Sequence, residues 1–360
     1  SHQATFDALG DDASKLEGID WTFKNATTDY LTHGLHPYPA RMIPQIPRTL
    51  LRHYLSEGVI EAGDTVFDPF AGSGTTLVEA SLHGLDGVGS DINPFACQIS
   101  RAKTTAIKKP AIEKTIRALL GGTDKFEPLQ DVFYEIKSEY EVGELTEIDK
   151  LDVRDGWFPE PQLHQLWEIS TRIDSLDATD GIKRFLYTTL GITSRKVSYQ
   201  RDSEFKRYRI PKSKRSEHNP SVYDKFTETL NENKEEILLY TDKRTDNKII
   251  IKNVNAKHVL ARNTIPVTTN SVDIIITSPP YGDHRTTVAY GQYSQDPALI
   301  TGEYGYDEMK SVDKDGLGGA NSTTDDVDAD RILSASNTMQ KTLEVLDDED
   351  NNRADDAMDL

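Results

Sequence analysis

Hydrophobic positions follow two kinds of pattern along this chain of 360 residues. Short apolar segments lie near residues 66, 88, 250 and 275, and such segments are typical of strands covered on both faces. The first is followed by Gly72-Ser73-Gly74, by helical spacing over residues 75–83, and by Gly84 as the expected helix end. A strand, a glycine turn, a helix and a second strand form a βαβ unit. The pattern therefore predicts an α/β fold with parallel strands.

The span 111–247 has a different pattern. Apolar residues recur there every three or four positions, within 163–176, 182–193 and 222–237, which predicts amphipathic helices. We interpret this span as a mostly helical insertion. Residues 1–35 carry few periodic signals and are expected to be extended. The four prolines of residues 36–47 argue against a helix through that stretch, and helical spacing resumes at 46–54.

Composition narrows the class of protein. A mean hydropathy of −0.58 and the lack of a long apolar run exclude a membrane-spanning helix, and no basic-then-apolar leader opens the chain. The single cysteine, Cys97, excludes a disulfide framework and a multi-cysteine metal site, and is expected to be a small buried residue. The nine histidines are scattered, so no structural metal is expected. These features predict a soluble cytoplasmic protein.

The net charge of −19 is unevenly distributed. Residues 301–360 hold 17 acidic and 5 basic residues, so the rest of the chain carries only −7. Basic residues are concentrated between 195 and 215, where Tyr199, Phe205 and Tyr208 are interleaved. Such a run fits contact with nucleic-acid phosphates, although charge runs are also common on solvated loops. An acidic total therefore does not exclude a nucleic-acid partner.

A first group of candidate site residues surrounds the glycine turn. Residues 68–76 read Asp-Pro-Phe-Ala-Gly-Ser-Gly-Thr-Thr, and Asp91 ends the next predicted strand. Glycines let a ligand approach the backbone, free N–H groups at a helix start favour an anion, and the carboxylate can accept hydrogen bonds from ribose hydroxyls. The alternative is a tight turn without a ligand. The spacing matches neither Gly-x-Gly-x-x-Gly nor a Gly-Lys-Ser/Thr loop, so nicotinamide cofactors and nucleoside triphosphates are poor candidates.

A second group follows the last predicted strand and reads Thr277-Ser278-Pro279-Pro280-Tyr281. Consecutive prolines fix the backbone, remove two donors and leave carbonyls free to accept hydrogen bonds. At the carboxyl end of a parallel strand they lie where open α/β sheets bind ligands. A hydroxyl, a carbonyl and a ring face together suit a planar group that has an amino substituent. The alternative is a rigid strand-to-loop turn.

These motifs, in this order, resemble those of amino-directed DNA methyltransferases, which methylate exocyclic nitrogens with S-adenosylmethionine. Residues 36–41, His-Pro-Tyr-Pro-Ala-Arg, resemble motif X, which packs against the methionine end of the cofactor, residues 68–76 resemble motif I, and Asp91 resembles motif II. The resemblance covers about 36–105 and 248–290. The cofactor-binding residues that it implies are Pro37, Tyr38, Ala40, Asp68, Pro69, Phe70, Ala71, Gly72, Ser73, Gly74, Thr75, Thr76, Asp91, Asn93, Asn255 and Ala256. At Asn255 the family commonly has Asp, so this position departs from the pattern.

The resemblance also implies the reaction. Ser278, Pro279, Pro280 and Tyr281 match catalytic motif IV, and the Thr-Ser-Pro-Pro-Tyr form is typical of cytosine-N4 enzymes, whereas adenine-N6 enzymes usually begin the motif with Asp or Asn. Tyr281 would stack on a flipped base, and Ser278 and Pro279 would accept hydrogen bonds from its amino group. We expect a site-specific cytosine-N4 enzyme of a restriction-modification system, with a cognate endonuclease as partner. Alternatives are an adenine-N6 enzyme, a transfer-RNA guanosine-N2 enzyme, and a non-catalytic DNA- or cofactor-binding subunit.

Double-stranded DNA is the expected substrate. The residues predicted to contact it are Arg195, Lys196, Arg201, Lys206, Arg207, Arg209, Lys212 and Arg285. The predicted organisation is 1–110 and 248–300 for the catalytic domain, 111–247 for target recognition, and 301–360 for an acidic, partly disordered segment.

The expected fold is a Rossmann-like class I methyltransferase sheet that is incomplete at its C-terminal side. The family sheet has seven strands, three of them after motif IV, and residues 282–360 show no convincing run for these three. We therefore expect a fragment or one half of a split enzyme, with a second chain or further sequence supplying the missing strands.

Overall fold

The fold is seen in a computed structural model. It describes residues 16, 18–121, 125–146, 148, 153–201, 206–259, 265–268, 270–279, 290–301 and 304–315.

The centre of the fold is a parallel sheet whose strand order is β3-β2-β1-β4. The strands are β1 (Thr65–Asp68), β2 (Asp86–Asp91), β3 (Ile249–Asn253) and β4 (Ile274–Ile275). All four lie where the apolar segments predicted them, and each neighbouring pair is parallel. This confirms the α/β, Rossmann-like prediction. The sheet brings β1 to its middle, so the glycine turn that follows β1 lies between the ends of β2 and β4.

Three helices support this sheet at its N-terminal part. They are α1 (Gln45–Ser56), α2 (Thr75–Leu82) and α3 (Pro94–Thr104). Helix α2 ends before Gly84, whose φ of 79° is a left-handed conformation that suits glycine. Pro47 lies in the first turn of α1, where a missing N–H costs no internal hydrogen bond. The extended lead-in predicted for residues 1–35 is wrong at Leu31–Leu35, which form a buried 3-10 helix.

The insertion between α3 and β3 is helical, as predicted. It consists of α4 (Lys109–Leu119), α5 (Leu129–Val142), α6 (Glu160–Ser175), α7 (Asp180–Val197), α8 (Lys212–Arg215) and α9 (Val222–Lys243). One apolar core joins all of these helices except α8, which buries no residue, and it includes fully buried side chains such as Leu166, Phe185 and Phe226. None of the described helices combines the length and apolarity that crossing a membrane requires.

The outer side of β4 differs from the rest of the sheet. Within the described ranges β4 pairs with β1 alone, and the side chain of Ile275 is 61% exposed. The described chain after motif IV forms two helices, α10 (Tyr290–Ile300) and α11 (Tyr306–Asp315). Residues 316–360 lie outside the described residues. The expectation of a fragment or a split enzyme therefore stays a prediction.

Candidate functional site

The candidate site lies where the carboxyl ends of β1, β2 and β4 meet. The turn after β1 is tied to β2 by two hydrogen bonds: Ala71 N donates to Ser90 O at 2.8 Å, and Ser90 Oγ donates to Pro69 O at 2.9 Å. Gly72 and Gly74 have φ angles of 49° and 85°. A Cβ atom on Gly74 would lie 2.2 Å from Ser100 Oγ on α3, so a side chain there would clash. The glycines thus set the turn close against its neighbours.

Asp91 connects this turn to the end of β2. One carboxylate oxygen accepts a hydrogen bond from Gly72 N at 2.8 Å, and the other accepts one from Asn93 N at 2.8 Å. Burial raises the pKa of Asp91 to about 6. No described lysine or arginine forms an ion pair with it. The side chain is only partly enclosed, so a ligand hydroxyl can still reach the carboxylate.

Tyr38 forms the opposite wall of the turn. A Cβ atom on Gly72 would lie 3.7 Å from the Tyr38 ring, and the Tyr38 hydroxyl accepts a hydrogen bond from Asn93 Nδ2 at 3.0 Å. Three of the motifs predicted from sequence therefore meet within one cluster. Pro37 and Ala40 flank Tyr38 and are exposed.

Motif IV approaches from β4. Ile276 N donates to Phe67 O at 3.2 Å, and Thr277 Oγ1 donates to Asp68 Oδ1 at 2.6 Å. Asp68 is 2% exposed, and burial raises its pKa to about 6. Hydrogen bonds that Asp68 accepts from Thr277 Oγ1 and Phe70 N oppose this shift. Ser278 and Pro279 follow and are exposed. Pro280 and Tyr281 lie outside the described residues.

Asn255 and Ala256 lie just beyond β3, at the same edge of the sheet. Val254 N donates to Asp91 O at 3.1 Å, which places the residues after it beside the end of β2. Asn253, which the sequence did not single out, donates from Nδ2 to the backbone oxygens of Asp91 and Ile92 at 2.9 and 2.8 Å. The signal that could have found it is its position as the last residue of a strand beside motif II.

Helix α10 contributes side chains that the sequence analysis missed. Tyr290 stacks on Tyr38 with ring centroids 5.7 Å apart, and the Tyr293 hydroxyl donates to Pro37 O at 2.5 Å. Ser294 Oγ accepts a hydrogen bond from Asn93 Nδ2 at 2.8 Å. These residues back the Tyr38 wall. The sequence shows no clear apolar period here, because the buried residues of α10 mix polar side chains such as Ser294 with apolar ones such as Leu299.

The basic run divides into exposed and enclosed residues. Two short stretches, residues 199–201 and 206–210, run antiparallel with a bridge between Gln200 and Arg209, and we call them the basic excursion. Two predicted DNA contacts within it, Arg201 and Arg209, are exposed, and so is Lys212 in the helix that follows. Lys206 is half-buried. Arg285 lies outside the described residues.

Four predicted DNA contacts have polar atoms engaged within the protein, and one of them, Arg209, stays exposed although it donates to Gly156 O at 3.0 Å. Lys196 Nζ donates to Thr229 Oγ1 at 2.8 Å, and the Arg195 guanidinium lies 4.0 Å from the centre of the Tyr293 ring. Arg207 pairs with Asp296 at 2.7 Å, and its side chain is 8% exposed. Because the polar groups of Arg195, Lys196 and Arg207 are occupied inside the fold, the phosphate contacts proposed for this chain are those of the other described residues, Arg201, Lys206, Arg209 and Lys212.

The turn fits a small polar ligand such as S-adenosylmethionine. Ser73 is 3% exposed, and no described residue forms a hydrogen bond with its hydroxyl. A buried hydroxyl without a partner is costly, so it fits a position that a ligand completes. The uncompensated carboxylates Asp68 and Asp91 suit a ligand that has hydroxyl donors and positive charge. Cys97 is fully buried, as predicted, and the described residues contain no cluster of histidine, cysteine and carboxylate groups that could hold a metal.

Comparison with known proteins agrees with this geometry. Residues 12–102, which contain the Tyr38 segment, the glycine turn and Asp91, match the family model of N6/N4 methyltransferases described as DNA methylase. The chain is also 34% identical over 274 residues to the type II methyltransferase M.MvaI of Kocuria varians, covering 76% of this chain and 58% of that protein. The chain belongs to the amino-methyltransferase family. Members of this family use S-adenosylmethionine as methyl donor.

Two further relatives extend the comparison. The type II methyltransferase M.BsoBI of Geobacillus stearothermophilus is 26% identical over 292 residues, covering 72% of this chain and 51% of that protein. A tRNA (guanine(10)-N2)-dimethyltransferase of Methanothermobacter thermautotrophicus is 43% identical over 56 residues, 16% of each chain. The chain thus spans about half the length of the methyltransferase relatives M.MvaI and M.BsoBI. No solved structure matches it.

Proposed function

We propose that this chain transfers a methyl group from S-adenosylmethionine to the exocyclic N4 of cytosine in double-stranded DNA. The observation that carries the proposal is the 2.6 Å hydrogen bond from Thr277 Oγ1 to Asp68 Oδ1. It joins the start of the candidate base-binding motif to the candidate cofactor turn. A methyl transfer needs donor and acceptor held side by side, and this contact brings their two binding elements together.

The cofactor residues have distinct tasks. S-adenosylmethionine supplies a methyl group on a positively charged sulfur. Asp91 accepts hydrogen bonds from ribose hydroxyls, and Gly72 and Gly74 let the backbone approach the ligand. Tyr38, backed by Asn93 and α10, encloses the methionine end. The other residues of the proposed cofactor site are Pro37, Ala40, Pro69, Phe70, Ala71, Ser73, Thr75, Thr76, Asn255 and Ala256.

The base residues increase the nucleophilicity of an amino group. The cytosine N4 lone pair is delocalised into the ring, so acceptors are needed to draw its hydrogens out of the ring plane. Ser278 Oγ and the Pro279 carbonyl are the acceptors, and their exposed positions leave them open to a flipped base. Pro280 fixes the loop, and Tyr281 stacks on the base. The sequence Thr-Ser-Pro-Pro-Tyr supports cytosine as the target.

DNA is bound by the basic excursion and the helix after it. Arg201, Lys206, Arg209 and Lys212 contact phosphates, and Tyr208, whose side chain is 49% exposed, lies among them. Each phosphate contact contributes a slope of about −0.9 to log affinity against log salt. The protein acts in a restriction-modification system, and a cognate endonuclease cleaves the unmodified site. M.MvaI and M.BsoBI, both named as type II methyltransferases, support this assignment.

The test is the identity of the methylated nucleoside. Duplex DNA and, in a parallel reaction, transfer RNA are treated with the full chain and labelled S-adenosylmethionine and digested to nucleosides, and the label is expected in N4-methyldeoxycytidine from the DNA. Label in N6-methyldeoxyadenosine would replace cytosine by adenine as the target, and label only in transfer RNA would replace DNA by RNA. Cofactor binding without methyl transfer to any of these would indicate a non-catalytic subunit.

A variant tests the role of Ser278. Ser278→Ala is expected to lower turnover on the order of a hundredfold, because it removes a polar group aimed at the reacting nitrogen. Its affinity for S-adenosylhomocysteine should not change. Ser311→Ala on α11 is the matched control and should leave turnover unchanged. Unchanged turnover in Ser278→Ala would remove Ser278 from the base site.

A further inference from the structure

Arg207 forms a buried link between the basic excursion and α10. Its guanidinium pairs with Asp296 Oδ1 at 2.7 Å, donates to Gln295 Oε1, and lies 4.0 Å from the centre of the Trp157 ring. The side chains of Arg207 and Asp296 are each 8% exposed. Once such charges are buried, separating them is strongly unfavourable. The pair therefore fixes where α10 lies against the excursion.

The same helix supports the wall of the candidate cofactor site. Tyr290, Tyr293 and Ser294 are spaced so that they share one side of α10, and Asp296 lies on another part of its surface. Tyr290 stacks on the Tyr38 ring, and the Tyr293 hydroxyl holds the carbonyl next to Tyr38. A shift of α10 would move these contacts. It would not directly move the hydrogen bond from Gly72 N to Asp91 at the opposite wall.

We propose that Arg207 and Asp296 are positioning residues for the cofactor pocket, acting through α10 on the Tyr38 wall. This inference rests on the proposed function, since it requires that the Tyr38 wall enclose the methionine part of the cofactor. Neither residue touches the ligand. Their pair sets the position of the helix whose other side holds Tyr38. A residue inside the predicted DNA-contacting run thereby serves cofactor binding.

The test compares two ligands that differ in the part facing Tyr38. S-adenosylhomocysteine has the amino-acid portion, and adenosine lacks it but keeps the ribose that Asp91 binds. The double variant Arg207→Gln/Asp296→Asn removes both charges without leaving one of them buried alone. We expect its Kd for S-adenosylhomocysteine to rise about tenfold, a usual size for coupled neighbours. Its Kd for adenosine should stay within about twofold of the wild type.

Two further variants separate positioning from general destabilisation. Arg207→Lys keeps the charge opposite Asp296 and should restore part of the lost affinity. Arg172→Gln removes a buried arginine that pairs with Glu168 at 2.7 Å within α6, and it should leave both affinities unchanged. Thermal unfolding of every variant establishes that it is folded at the temperature of titration.

The outcomes are distinct. If the double variant is folded and binds S-adenosylhomocysteine like the wild type, the pair is only structural and the inference is overturned. Equal weakening for both ligands, or the same loss in Arg172→Gln, also overturns it. If the wild type binds neither ligand, the proposed function itself fails and the inference falls with it.

Discussion

Glu79 on the one hand, and Asp68 and Asp91 on the other, are carboxylates that differ in how the protein balances their charge. Glu79, on α2, is fully buried among cationic and hydrogen-bonding partners. Asp68 and Asp91, at the ends of β1 and β2, form no ion pair with a described lysine or arginine. The difference separates a carboxylate whose charge is balanced within the fold from two whose charge no described cation balances.

The Glu79 group is internally complete. Arg48 Nε pairs with Glu79 Oε2 at 3.2 Å, His33 Nε2 lies 2.8 Å from Oε1, and the Tyr30 hydroxyl donates to the same oxygen. Burial would raise the pKa of Glu79, but Arg48 and His33 outweigh it and lower the value to about 2. These contacts join the 3-10 helix, α1 and α2. Both carboxylate oxygens of Glu79 already have partners within the protein, so this group stabilises the fold.

The Asp68 and Asp91 group is incomplete by comparison. Burial raises both pKa values to about 6, and only backbone N–H groups and hydroxyls oppose the shift. Carboxylates in this state gain from a ligand that donates hydrogen bonds or carries positive charge. The proposed cofactor does both, which supports the proposal that these two carboxylates bind it.

The largest effect is expected from breaking the complete group. Glu79→Ala leaves Arg48 buried without its carboxylate, and the free energy of unfolding should fall by about 3–5 kcal/mol. Chemical denaturation measures the loss. The control is Glu113→Ala, which removes an exposed ion pair with Lys109 and should cost less than about 1 kcal/mol. A loss in Glu79→Ala as small as in the control would show that the buried group is not structural.

The next effect concerns the incomplete group. Asp91→Asn should weaken binding of S-adenosylmethionine by about 1.5–3 kcal/mol, roughly 10- to 150-fold, because hydrogen bonds to a charged acceptor are lost. Its free energy of unfolding should change far less than that of Glu79→Ala, since no buried cation loses a partner. Isothermal titration and denaturation of the same sample check both expectations. Wild-type affinity in Asp91→Asn would exclude Asp91 from the site.

The two groups should also respond oppositely to pH. The pKa of Glu79 falls from 4.5 to about 2, so its stabilisation is complete above pH 4.5 and is lost as the pH falls toward 2. The pKa values of Asp68 and Asp91 rise from 3.8 to about 6, so between these values the folded state binds more protons than the unfolded state. Stability contributed by these two groups therefore decreases as the pH rises through that range.

Cofactor affinity gives the direct measurement of this difference. Below about pH 6 Asp91 is protonated and accepts poorly, so affinity for S-adenosylmethionine should fall by up to about tenfold per pH unit. In Asp91→Asn this dependence should become weaker. A flat affinity between pH 5 and pH 7 in the wild type would mean that the protonation state of Asp91 does not control binding.

The carboxylates of the two groups differ in how visible they are in the sequence. Asp68 and Asp91 were predictable, because each ends an apolar segment and local pattern alone locates strand ends. Glu79 was not, because its partners Arg48 and His33 lie 31 and 46 residues away in the chain. The prediction that Arg207 contacts DNA stays a prediction, and for the same reason its ion pair could not be found from the sequence. Its charge is visible in the sequence, but its pairing with Asp296, 89 residues later, is not. Helix α10 was not predicted, because its buried residues mix polar and apolar side chains and follow no amphipathic period.

The smallest effect concerns the contact that joins the two binding motifs. Thr277→Val keeps the shape of the side chain but removes the hydroxyl that donates to Asp68. A single hydrogen bond contributes about 1 kcal/mol, so turnover should fall about fivefold as motif IV loosens against the cofactor turn. Affinity for S-adenosylhomocysteine should change little, because Asp91 and Tyr38 keep their contacts.

Thr277→Ser retains the hydroxyl and should preserve most of the activity. If the serine variant loses turnover and the valine variant does not, the methyl group of Thr277 matters rather than its hydrogen bond. If neither loses turnover, the joining of motif IV to Asp68 does not limit the reaction.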